Sequence, residues 1–150
     1  MKTRIHALAG TCALLIVMCF WASTLISEVF LSHEAVVTVK SGVLYGMGLL
    51  IPILAATGGS GLLLARSSAG TLVDRKKRRM PFIALNGLFV LVPAAFFLHG
   101  KAIAGEFDAA FYAVQGLELA AGTIQLALLG RNFRDGLVLA GRLRPAGRRA

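Results

Sequence analysis

SGVLYGMGLLIPILAATGGSGLLLA, residues 41–65, contains no Asp, Glu, Lys, Arg or His, and it runs directly into Arg66 and then RKKRR at residues 75–79. As an α-helix an uncharged stretch of this length reaches roughly 37 Å, more than the ~30 Å thickness of a bilayer's hydrocarbon layer. It is apolar on every side, so it lacks the polar face that a surface helix of a soluble protein would show. The stretch therefore reads as a membrane-spanning helix. The basic run after it marks the flank that stays in the cytoplasm.

Three more runs of the same kind lie around it. Residues 5–26 carry no charge, residues 81–98 carry none, and residues 109–130 are interrupted only by Glu118. Lys2 and Arg4 before the first run resemble the start of a signal peptide, but the run is too long for a hydrophobic region of 7–15 residues. We expect a retained helix, with Trp21 at an interface. Pro81 is expected in the first turn of the third helix, where its missing N–H is no loss.

Composition agrees. Hydrophobic residues make up 57% of the 150, and mean hydropathy is +0.75, too apolar for a soluble domain. The net charge of +9 would suggest nucleic acid in a soluble protein, but its distribution excludes that class. Of 16 Lys and Arg, all but Lys40 and Lys101 fall at the N-terminus (Lys2, Arg4), in residues 66–79, or in the tail (Arg131, Arg134, Arg142, Arg144, Arg148, Arg149). Basic clusters alternating with apolar runs are the signature of membrane topology.

That alternation sets an orientation. Met1, residues 66–80 and the tail lie inside; residues 27–40 and 99–108, with Glu28, Glu34, Glu106 and Asp108, form short outer loops. Short loops make successive spans antiparallel neighbours. The fold class is thus an all-α integral membrane protein, a four-transmembrane-helix up-down-up-down bundle with both termini cytoplasmic. Its domains are a transmembrane part, 1–130, and a basic cytoplasmic tail, 131–150, able to form a short interfacial helix. The location is a bacterial-type inner (plasma) membrane, with Arg75, Lys76, Lys77, Arg78 and Arg79 against anionic lipid headgroups.

Polar residues within the spans are the informative ones, because each needs a partner or a purpose. Gln115, Glu118, Gly122 and Gln125 fall at i, i+3, i+7 and i+10, one stripe of a helix. Glu118 lies near mid-span, with no lysine expected at its depth. It reads as a proton or cation site, a contact for a quinone, or a neutral carboxyl that bonds across helices with the glutamines. Ser23, Thr24 and Asn86 are its candidate partners. Glu28 and Lys40, at matched depth on the first two helices, are expected to pair.

Glycines at Gly42 and Gly46, at 58, 59 and 61, and at 116 and 122 mark close helix approach, within the bundle or against a membrane-protein partner or second copy. Pro52 and Pro93 should kink their helices. Haem ligation by two histidines requires matched depth on facing helices, and His6, His33 and His99 do not offer it. A pair of His6 with Met80 is the remaining geometry. Arg4-Ile5-His6 ahead of an apolar run resembles the first helix of bacterial b-type cytochromes; the later in-span histidines which that likeness would require are absent. No metal site or cofactor is expected, with haem b as an alternative.

No catalytic motif stands out, so the first functional expectation is a non-catalytic accessory, assembly or interaction subunit. The alternatives are electron transfer with haem b or quinone, and a small transporter coupled to protons or ions through Glu118.

Overall fold

The computed structural model describes the backbone of residues 2–66 and 70–143. Five α-helices and one π-helical stretch account for almost all of it: α1 (Lys2–Phe30), α2 (His33–Arg66), α3 (Thr71–Asn86), the π-helical Gly87–Leu91, α4 (Val92–Ile103) and α5 (Ala109–Leu139). The stretch from Thr71 to Ile103 is one continuous rod, so four helices are long and apolar enough to cross a membrane. The expectations attached to Met1, Lys2, Arg4, Arg66, Arg144, Arg148 and Arg149 lie outside the residues whose side chains are described.

The surface is apolar, as a membrane protein's would be. Tyr45 is 81% exposed and Phe30 77%, and large apolar side chains from all four rods, among them Leu8, Leu63, Phe89 and Leu117, also face outward. In water such a surface would aggregate. In lipid it is the natural one, and there every backbone N–H and C=O must be bonded within its own helix.

α1 packs on α2 and α5, α4 packs on α2 and α5, and α3 packs on α5, so the four rods close a ring in which α2 meets α4 more than α3. At the end carrying the two short connections, Val36, Leu98, Ala102 and Phe111 bury one another and the His33 ring stacks on Phe107 with centroids 3.9 Å apart. We call this the short-turn end. Nearer the middle, Ala13, Val17 and Leu50 form one cluster and Val43, Met47 and Ala95 another. Phe20 lies against Gly46 and Trp21 against Gly122, at distances where a Cβ on either glycine would clash.

Several boundaries differ from the sequence reading. Residues 27–40 are not a loop: only Leu31 and Ser32 separate α1 from α2, and His33 opens α2. The basic segment is helical from Thr71, so Pro81 sits inside α3 rather than in a first turn. α5 continues through Arg131 and Arg134 to Leu139, leaving no separate tail helix before Ala140. Pro93 follows directly on a change of helical register. Its ring would crowd the carbonyl of Phe89, four residues back, and the chain just before it widens so that Val92 N–H donates to Gly87 O.

Candidate intramembrane site and cavity

The α5 stripe points inward. Gln115 is 4% exposed and Gln125 1%, Gly122 is buried, and Asn132, one further step along the same face, is buried too. Each polar residue has found a specific partner, though not always the expected one.

Glu118 is paired with Lys40. The ammonium donates to Oε2 at 2.6 Å, with the lysine side chain 1% exposed and the carboxylate 12%. Gln115 Nε2 donates to the same oxygen at 3.2 Å. The ion pair expected between Glu28 and Lys40 is therefore corrected: Lys40 gives its hydrogen bond to Glu118. The expectation that no lysine reaches Glu118 fails as well. Lys40 lies seven residues into α2 and Glu118 nine into α5, about 10 and 13 Å from the helix starts, so the depths match within the reach of a lysine stem.

The other partners divide by depth. Asn86 Nδ2 donates to Gln125 Oε1 at 2.9 Å and to Ala121 O at 3.0 Å, while Gln125 Nε2 donates to Ile83 O at 3.2 Å. Asn86 thus serves Gln125 and not Glu118. Ser23 turns to its own helix, donating to Phe20 O. Thr24 is buried and lines a cavity whose wall also includes Glu118. Trp21 is engaged within the bundle: its Nε1 donates to Leu119 O at 3.1 Å and its ring covers Gly122.

Among the five basic residues of α3, Arg75, Lys77 and Arg78 are exposed and Lys76 is partly covered. Arg79 is engaged within the protein, donating to Asp135 Oδ2 at 2.7 Å and to Asn132 Oδ1 at 3.4 Å. Asn132 and Asp135 had no place in the sequence reading, although Asn132 follows Gln125 by seven residues on the same face. At the short-turn end, Lys101 donates to Glu106 at 2.8 Å and Asp108 at 2.6 Å, and Asp108 Oδ1 accepts from Phe111 N–H as the N-cap of α5. The hydrogen bond from Lys101, aided by that from Phe111, holds the Asp108 carboxyl below its ordinary range.

No known protein family, curated protein or solved structure matches this chain. The site must be read from its own chemistry.

Two features stand out. The first is a cavity of about 620 Å³ between the rods, within the range of ligand sites. Its walls are almost wholly apolar, from Phe20 and Val43 through Met47 and Leu50 to Gly87 and Leu129; Glu118, Gln125 and Lys77 supply charged and amide groups and Thr24 a hydroxyl. Ile51 and Leu88, which line it, are also exposed, so it opens on the lipid-facing side between α2 and the third rod. The second is a pair of buried oxygens without a donor, Glu28 Oε1 and Gln115 Oε1. Among the described residues, no group of three or more His, Cys, Asp and Glu is placed to hold a metal ion. His6 Nδ1 lies 3.0 Å from Ser60 Oγ, and His6 and Met80 meet over Gly61.

Proposed function

We propose that this chain is a small multi-pass protein of a bacterial-type inner membrane that acts by binding, not by catalysis, and holds a lipid-soluble molecule in the cavity between its helices. The up-down-up-down arrangement with both termini cytoplasmic belongs to the same proposal, supported by the basic residues of α3 and the acids near the short turns. The observation that carries the ligand is the cavity itself. An apolar space of about 620 Å³ that opens toward lipid is filled by something apolar, and its few polar groups fix how that molecule lies. An accessory role fits the open faces at Gly42, Gly48 and Gly116, where a Cβ would meet nothing and a partner helix or second copy could approach closely. Arg75, Lys77 and Arg78 are free to meet anionic headgroups.

The test is chemical. Protein purified in mild detergent is extracted, and the lipid-soluble molecules that travel with it are identified by mass spectrometry. Gly58 lines the cavity and a Cβ there would meet nothing, so Gly58→Phe is the variant chosen to obstruct it. The bound species should disappear in that variant while the fold persists. Extracts of wild type and variant that both match bulk lipid would sink the proposal.

A second reading, electron transfer with haem b, draws on the meeting of His6 with Met80. A Soret band in the purified protein that disappears in His6→Ala would establish it, and a colourless protein would remove it.

A further inference from the structure

The lipid-facing cavity is long, and its polar groups stand at its ends and on one side. Its wall runs from Lys77 to Ala95 on the third rod and from Val43 to Gly58 on α2. At 1.5 Å per residue these stretches cover roughly 27 and 22 Å, most of the depth of the hydrocarbon layer. Lys77, exposed, stands at one end. Glu118 stands toward the other, since the wall on α5 runs from Glu118 to Leu129, away from the short turns. An occupant that fills this space is an extended molecule that meets a carboxylate near one end.

That carboxylate is only half engaged. Both of its hydrogen bonds, from Lys40 at 2.6 Å and Gln115 at 3.2 Å, fall on Oε2, and neither donor lines the cavity. Oε1 accepts from none of the described residues, yet it is not sealed as the orphaned oxygens of Glu28 and Gln115 are. It is the atom of Glu118 that an occupant can reach. The neighbouring groups are already committed: Trp21 N–H goes to Leu119 O, and Gln125 bonds to Asn86 and Ile83 O.

The chemistry of the occupant's head follows. A carboxylate oxygen only accepts, so it selects a donor. Lys40, 1% exposed, already balances the charge, so an ammonium head would duplicate it and an acidic head would meet like charge. A ketone, ester or ether brings acceptors alone and leaves both oxygens unmet. A hydroxyl satisfies Oε1 and adds no charge. Resting on the reading of the cavity as a ligand site, we propose that its occupant is a long neutral lipid with a hydroxyl head, an alcohol or a phenol, whose O–H donates to Glu118 Oε1.

Binding to the full chain in mild detergent tests this, with labelled probes that differ only in the head: hexadecanol, its methyl ether, hexadecanoic acid and hexadecylamine, and decyl-benzohydroquinone beside decyl-benzoquinone. The alcohol should bind at least tenfold tighter than the ether, acid and amine, or the hydroquinone tenfold tighter than the quinone, because the other heads leave a charged acceptor unmet. Whichever pair shows the preference assigns the head as alcohol or phenol. In Glu118→Gln, Lys40 keeps the amide oxygen and an N–H turns toward the cavity, so the preference should vanish or reverse while the ether still binds. A carboxylate that serves only Lys40 would leave the preference as in wild type, and that result overturns the proposal. The wild-type ratio decides alone if the variant does not fold. Equal binding of every head in wild type, lost throughout in Gly58→Phe, also overturns it and leaves the cavity reading standing. Binding of no probe overturns it too, and the cavity reading then rests on the extracted lipids, a separate measurement.

Discussion

Lys40→Met is the perturbation that probes the centre of this structure most directly. Methionine keeps much of the stem's volume and removes only the charge. The lysine side chain is 1% exposed and the Glu118 carboxylate 12%, so solvent does little to screen what is left behind. Breaking a buried ion pair by deleting one partner costs about 3–5 kcal/mol, since the survivor stays charged in a poor solvent. A loss of about 4 kcal/mol is roughly a thousandfold in the folding constant.

Glu118→Gln should behave differently. It leaves Lys40 facing an amide oxygen that can go on accepting its hydrogen bond, so the cost falls to about 1–3 kcal/mol. The asymmetry is the sharp expectation: the lysine variant suffers more than the glutamate variant, and the double variant loses less than the two singles added together. Trp21, the single tryptophan, bonds to Leu119 O beside Glu118, so its fluorescence during SDS-driven unfolding in mixed micelles reports on this region. A Lys40→Met protein within about 0.5 kcal/mol of wild type would refute the reasoning, as would the reverse order of the two single variants.

Three other outcomes are expected. Gly42→Ala should leave stability within about 0.5 kcal/mol of wild type, whereas Gly46→Ala, whose Cβ would come within 2.5 Å of Phe20 Cζ, should cost about 1–3 kcal/mol in the same assay; equal effects would contradict the helix contact. Asp108 is held below its ordinary value of 3.8, so its support for α5 is complete above that pH and is lost as pH falls through the lowered value; the protection factor of the Phe111 amide should drop in that window, and a flat profile would count against the cap. Reporter fusions after Met80 and Ala150 should both read cytoplasmic, and a periplasmic signal at either would overturn the orientation.

The spans were legible because lipid imposes a simple rule. A helix that meets hydrocarbon on most sides is apolar on most sides, and residues 5–26, 41–65, 81–98 and 109–130 all lie inside helices of the structure. The helix ends were not legible by the same rule. Charge reports where a segment meets water, not whether it is helical, so the basic residues of α3 and the Arg131–Leu139 end of α5 looked like loop and tail. Both are held as helix by contacts that no local pattern announces. Arg79 on α3 reaches Asp135 on α5, fifty-six positions away in the chain.

The inward face of α5 was legible for a different reason: amides and a carboxyl at helical spacing cannot all face lipid. Their partners were hidden by the way the spans were drawn. Ending a span at the first charge puts Lys40 outside the second helix by definition, and so removes from consideration the cation that pairs with Glu118. The structure begins α2 at His33, seven residues earlier, which carries Lys40 two turns inside. Its flexible stem then needs only one carboxylate at similar depth, and the stripe already identified on α5 provides it. A charged residue beside a short turn is therefore better treated as belonging to the helix until a partner is sought at its depth. Lys101 shows the other outcome: two residues from the end of α4, it finds Glu106 and Asp108 in the connection itself and stays at the surface.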